Sequence, residues 1–170
     1  TRAGEVGITS HANEKWQRHD PKREGIFGAT LEDACFFNKD TGFVFGFIQG
    51  EKGKYDNIYH TINGGKQWKP INFGQDGWID DGCALENGEA WLSVSGSGIA
   101  YTTDYGFNWK QIKTPNTKQR YASIFFHRDH KGVIASLWNA IAYTEDNGNN
   151  WKNLPTPLDQ KAYTKTNKES

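Results

Sequence analysis

The chain has no methionine, not even at position 1, and only two cysteines and five prolines in 170 residues. The missing methionine leads us to expect a processed or excised chain, from which a signal peptide could already be gone. No apolar run approaches the ~20 residues of a membrane-spanning helix, so no span is expected. Excess charge is also missing: Lys+Arg and Asp+Glu stand at 20 each, for a net charge of zero. A surface that neutralises nucleic-acid phosphates needs a basic excess, so no nucleic-acid partner is expected. No window carries the 3.6-residue period of a helix, and almost no helix is expected. What abounds is glycine (19) and aromatic side chains, with 10 phenylalanines, 7 tyrosines and 7 tryptophans. That composition suits a β domain with many turns.

Four segments fit one pattern, Thr-x-(Asp/Asn/His)-x-(Gly/Asn)-x-x-Trp. They are Thr9-His11-Asn13-Trp16, Thr61-Asn63-Gly65-Trp68, Thr102-Asp104-Gly106-Trp109 and Thr144-Asp146-Gly148-Trp151. The tryptophans lie 52, 41 and 42 residues apart, and self-similarity at about 40–45 residues marks a propeller blade. Each of the last three boxes follows an apolar-aromatic run (NIYHT, GIAYT, AIAYT) and precedes a short one (WKPI, WKQI, WKNL). Strand, tight turn, strand is a β-hairpin. The short carboxylate or amide at the third position can accept backbone N–H bonds and fix the turn. The glycine two residues later permits positive φ, and the tryptophan closes the box over the hairpin. The boxes therefore read as structural staples.

Two more apolar runs precede each of the last three boxes: 33–37 with 42–48, 82–85 with 89–94, and 121–126 with 132–137. Each unit is expected to be four antiparallel strands, A to D, with the box in the C–D turn. The expected organisation is two last strands of a split or preceding blade at 1–20, and blades at 21–72, 73–113 and 114–156. A polar tail, or the start of a next blade, follows at 157–170. The insertion EKGKYDN (51–57) reads as a loop, HRDH (127–130) as a solvated A–B turn, and SGSG (95–98) as a B–C turn. Aligning DACFF, DGCAL and YASIF puts Cys35, Cys83 and Ser123 at one site on three A strands. There the cysteines read as small buried residues, with a disulfide between neighbouring blades as the alternative. Neither cysteine is tied to a histidine by a catalytic motif, and neither cofactor nor metal is expected.

The boxes resemble the Asp-box, or bacterial neuraminidase, repeats of sialidases, sortilin-type receptors and xyloglucan-active hydrolases. The order NKDTGFVFG (38–46), then IYHTINGGKQW (58–68), is closer to propellers of the photosystem II stability/assembly factor type. The resemblance covers residues 5–155 and implies an all-β, β-propeller fold, here an incomplete ring of about three and a half blades. It favours an extracytoplasmic location, with the remaining blades in the parent chain or a second copy. It implies a non-catalytic module that binds a protein or a glycan. The alternative it leaves is a segment of a glycoside hydrolase, sialidase-like or xyloglucanase-like. None of the five arginines (Arg2, Arg18, Arg23, Arg120, Arg128) has the Arg-Ile-Pro context that marks a sialidase site, and no catalytic residue is assigned.

In propellers of this type the boxes and A–B loops share one face, and the D–A and B–C loops share the other, where ligands are generally held. Mapped onto this chain, that second face collects Asp33, Trp78, Asp80, Asp81, Arg120 and Tyr121 from the entrances to the A strands. It also collects Tyr55 from the insertion and Trp138 from the last B–C loop. Aromatic rings beside carboxylates and an arginine suit sugar stacking or a protein hot spot.

Overall fold

Along Tyr121–Phe126 the buried side chains are Tyr121, Ile124 and Phe126, while Ser123 and Phe125 face out. The alternation of a strand holds from 123 onward and slips once, between Tyr121 and Ser123, where the register shows a bulge. One face of this sheet is therefore core and the other is not. The computed structural model describes residues 6–8, 17–19, 30–47, 58–71, 74, 77–116, 119–138 and 140–155. Among these there is no helix, and so none long and apolar enough to cross a membrane.

A short antiparallel pair, Val6–Ile8 (β1) with Gln17–His19 (β2), comes first. Three four-stranded antiparallel sheets follow, each in simple meander order. The first blade is Thr30–Phe36 (β3), Gly42–Phe47 (β4), Ile58–Thr61 (β5) and Lys69–Ile71 (β6). The second is Ile79–Ala84 (β7), Ala90–Val94 (β8), Gly98–Thr102 (β9) and Lys110–Ile112 (β10). The third is Tyr121–Phe126 (β11), Gly132–Ser136 (β12), Ile141–Thr144 (β13) and Lys152–Leu154 (β14). The A strands β3, β7 and β11 are packed in that order, with β7 in contact with both others. The three blades make an open arc.

Two apolar layers hold the arc together. Between the first and second blades lie Phe43, Phe45 and Ile58 against Ile79, Leu92 and Ala100. Between the second and third lie Trp91, Ile99 and Tyr101 against Tyr121, Ile124, Phe126 and Ile134. Trp91 stacks flat on Phe126, ring centroids 4.0 Å apart and planes 3° from parallel. Gly82 shows how closely the sheets approach: a Cβ there would lie 2.7 Å from Leu92 and 2.9 Å from Phe45. Only glycine fits that spot without repacking.

The registers correct two expectations. The A strands begin earlier than the apolar runs suggested, so Asp33, Asp80 and Asp81 lie inside β3 and β7 and not at their entrances. Cys35 lies opposite Phe43, Cys83 opposite Trp91, and Phe125 opposite Val133. The third counterpart of the cysteines is thus Phe125, while Ser123 shares the place of Asp33 and Asp81. Likeness of Ser to Cys misled the alignment; the constant distance to the first residue of the B strand is the better guide. Both thiols are free. Cys83 joins the second blade to the third, its Sγ donating to the Phe126 carbonyl and accepting from the Phe126 N–H, both at 3.4 Å.

Candidate functional site

Each A strand carries a bulge at its start, and the extra residue is Glu32, Asp80 or Ala122. A bulge breaks the pleat and re-aims one side chain. Glu32 and Asp80 are aimed at the next blade. Trp78 and Arg120 hold matching places just before β7 and β11, each with its carbonyl accepting a backbone N–H from the neighbouring B–C loop, Ser95 at 2.7 Å and Leu137 at 3.3 Å. Glu32 accepts a hydrogen bond from Trp78 Nε1 at 3.1 Å. Asp80 accepts two from Arg120, Nε to Oδ2 at 3.0 Å and Nη2 to Oδ1. The same clasp thus occurs twice, a bulge acid of one blade holding the entrance residue of the next.

The Asp80 side chain is 8% exposed and Arg120 38%. The bond to Asp80 raises the Arg120 pKa, with Glu32 adding to it against the burial. Arg120 is therefore a fixed cation, and its N–H donors beyond Nε and Nη2 lie away from Asp80. Beside it stand Leu137 and Trp138, the Trp138 ring 63% exposed. Ser136 Oγ accepts from the N–H groups of Trp138 (3.2 Å) and Ala140 (3.0 Å), so the loop backbone is tied while the ring stands in solvent. Trp78 is 36% exposed. Glu32 with Trp78 and Asp80 with Arg120 thus form two separate links between blades, and Trp138 follows Leu137, whose N–H donates to the Arg120 carbonyl.

The other candidates sit elsewhere. Tyr121 is buried in the layer between blades, and that burial raises its pKa. Asp81 is a stitch: its Oδ2 accepts from Ser123 Oγ at 3.0 Å and from the Ile124 N–H at 2.8 Å. Asp33 is exposed and bonds the N–H of its neighbour Ala34 at 2.7 Å. Tyr55 lies outside the described residues, as do Thr9, His11, Asn13 and Trp16. Sequence reasoning missed Glu32 and Leu137. Glu32 could have been found by counting the bulge from the B strand, as with Asp80.

The boxes are closed on themselves. Asp104 Oδ1 accepts from Thr102 Oγ1 (2.7 Å) and the Asn108 N–H (2.9 Å), and its Oδ2 from Asn108 Nδ2 (2.7 Å). Asp146 repeats this with Thr144 and Asn150. Asn63 does so through Oδ1 alone, with Thr61 and Gln67. Burial pulls the Asp104 pKa upward, but bonds from Asn108, Thr102 and Phe107 hold it below the usual value. Each of the three described boxes also places two residues in a row at positive φ, among them Tyr105 (60°) and Asn147 (58°) as well as Gly106 (85°) and Gly148 (83°). These turns touch the preceding blade. His60 Nε2–H donates to the Tyr105 carbonyl at 2.7 Å, and Asn147 Nδ2 donates to Glu89 Oε1 at 3.2 Å.

At the A–B turn of the third blade, His127 Nδ1 meets Asp129 Oδ1 at 2.7 Å in solvent, with Lys131 at 3.4 Å from the same carboxylate. Among the described residues no three His, Cys, Asp or Glu side chains are grouped to hold a metal ion. A cavity of about 200 Å³ lies at the third box, lined by Tyr143, Glu145, Asp146, Asn150 and Lys152. It is far along the sheet from Arg120 and Trp138, and the exposed ring and fixed cation, not this hollow, mark the candidate face.

No protein-family model and no curated protein sequence matches the chain. Solved structures do. "YCF48 bound to D1 peptide" superposes with a TM-score of 0.62 at 23% identity, over 74% of this chain and 40% of that one. YCF48 from Cyanidioschyzon merolae gives 0.56 at 26%, over 74% and 38%. An ancestral GH74 enzyme gives 0.57 at 12%, over 76% and 18%. The shared feature is the propeller fold, and this chain spans about two fifths of the YCF48 chains.

Proposed function

We propose that this chain is a non-catalytic propeller segment that binds a protein partner, as a peptide, across its D–A/B–C face. The observation that carries the proposal is that Arg120, held by Asp80, accepts through its carbonyl the N–H of Leu137, the residue before the solvent-facing Trp138. An immobilised guanidinium can donate to a peptide carbonyl or carboxylate at little entropic cost, and an exposed tryptophan supplies apolar area. The YCF48 structure with a bound D1 peptide supports this reading, since it shows a propeller of like fold holding a peptide. A glycoside hydrolase would need a free acid and a second carboxylate across a cleft. On this face Asp80 is committed to Arg120 and Glu32 to Trp78, which weighs against that alternative.

Peptide display against the immobilised chain tests the proposal. Peptides selected by the wild type should lose at least tenfold in affinity to Trp138→Ala, whose melting temperature should stay unchanged. Selection of no peptide, equal affinity for Trp138→Ala, or hydrolysis of an aryl glycoside or xyloglucan would overturn it.

A further inference from the structure

The three described boxes differ where the staple does not constrain them. Five residues after the threonine stand Lys66, Phe107 and Asn149; one residue after it stand Ile62, Thr103 and Glu145. The first and third boxes close with lysine and asparagine at the fifth place, so the turn does not require Phe107. Yet Phe107 is 55% exposed and Ile62 63%.

Both lie where the second box leans on the first blade. The Phe107 ring covers the buried His60, ring centroids 4.6 Å apart, and Lys69 stands opposite His60 in register. Ile62 follows two residues after His60. The third blade shows how far that place reaches. Glu145, the counterpart of Ile62, pairs there with Lys152 at 3.0 Å, and Lys152 Nζ also lies over the Tyr143 ring. Tyr143 and Lys152 are the counterparts of His60 and Lys69. Ile62, Phe107 and Lys69 thus border one spot, at the strand ends away from Arg120 and Trp138.

The charge at this spot is one-sided. Lys152 has Glu145, but Lys69 has Ile62 in that place. Among the described residues neither Lys69 nor Lys66 has an acidic partner. The acids at hand are committed. Asp40, whose carbonyl accepts the Gly64 N–H at 2.8 Å, holds Lys39, and Asp104 is closed within its own turn. Exposed apolar side chains beside unpaired lysines are complementary to apolar side chains beside carboxylates. We propose that the first two boxes form a docking surface, separate from the D–A/B–C face, for a partner polypeptide segment with a leucine or aromatic residue next to aspartate or glutamate. A membrane surface would call for a larger basic cluster, of about 4–8 lysines or arginines. Two lysines around two apolar side chains suit one short segment.

Random peptide display against the immobilised chain, followed by a screen on Trp138→Ala, tests this. Clones that bind Trp138→Ala as tightly as wild type should carry a large apolar residue beside Asp or Glu. They should bind at least tenfold more weakly to Ile62→Glu, which gives Lys69 the partner that Glu145 gives Lys152. Phe107→Asn, which gives the second box the asparagine of the third at Asn149, should cost as much. Both variants should keep the wild-type circular dichroism spectrum. Lys69→Gln should weaken binding and flatten its salt dependence. Clones that all depend on Trp138 would overturn this proposal while leaving the other face its peptide. Clones without acidic residues, clones indifferent to both Ile62→Glu and Phe107→Asn, or binding of phosphatidylserine vesicles in place of peptides would overturn it as well.

Discussion

Replacement of Asp104 by alanine removes three short hydrogen bonds at once, along with the weaker pull of the Phe107 N–H. Two of them, from Asn108 N–H and Nδ2, come from an exposed residue whose groups pass to water. The third partner, Thr102, is 1% exposed; its Oγ1 keeps the bonds it accepts from the Asp104 and Gly106 N–H groups, but its O–H loses its acceptor where water reaches poorly. A net bond contributes about 0.5–1.5 kcal/mol, while a buried donor left unpaired costs about 1–3 kcal/mol. With the exposed bonds largely compensated, the loss should be about 1–2 kcal/mol. For a chain of this size that is a fall of roughly 2–8 °C in melting temperature. Asn63 supplies the internal comparison, since it binds Thr61 and Gln67 through one amide oxygen without a charge. Asp104→Asn should therefore recover at least half the loss. Differential scanning calorimetry at neutral pH reads both variants. If Asn is as costly as Ala, charge and not geometry fixes the turn; if Ala changes nothing, the box is not a staple.

Trp91→Ala should cost about 3–5 kcal/mol, because the ring is wholly buried and stacked on both Phe126 and Tyr101; urea titration measures it. Gly82→Val should cost at least about 1–3 kcal/mol by overpacking, since even a Cβ meets Leu92 and Phe45 under 3 Å; a melting temperature at or above that of wild type would sink this account of the close approach. Burial lowers the His60 pKa, against the opposing pull of the Tyr105 carbonyl and Asp104. The unfolded chain then takes up the proton first as pH falls, so the stability due to neutral His60 is complete above the ordinary imidazole value of about 6.5 and is lost as pH falls through the depressed folded value. Melting temperature should drop between pH 7 and 5, and His60→Phe should flatten that slope.

Strand order and hairpins were legible because apolar runs and tryptophan spacing are local signals, and three meander sheets follow from them. The bulges were not. Nothing in LEDAC or IDDGC announces one extra residue, since a bulge is a property of the pairing of two strands. That single residue shifts the phase of each A strand, which is why Ser123 was set beside the cysteines and Glu32 went unnoticed. It also separates Asp80 from Asp81, adjacent in sequence, into a clasp at the loop face and a stitch between strands. Tyr121 follows Arg120 directly and sequence proximity groups the two, yet Tyr121 turns into the core between the blades.

The two exposed tryptophans of the candidate face consequently mean different things. Trp78 donates to Glu32 across the first and second blades, so its loss would disturb the arc as well as any ligand contact. Among the described residues the Trp138 ring has no hydrogen-bond or ring partner, and its loop backbone is held by Ser136 independently of the ring. A weakened partner after loss of Trp78 would therefore not separate recognition from folding, whereas the same result at Trp138 would. Arg120 shares the ambiguity of Trp78, because removing it strands Asp80 at 8% exposure without a counter-charge, an arrangement whose cost falls on stability first. The acids that give this face its charge are thus also the links between its blades, and Trp138, whose ring makes no such link among the described residues, is the position that separates binding from folding.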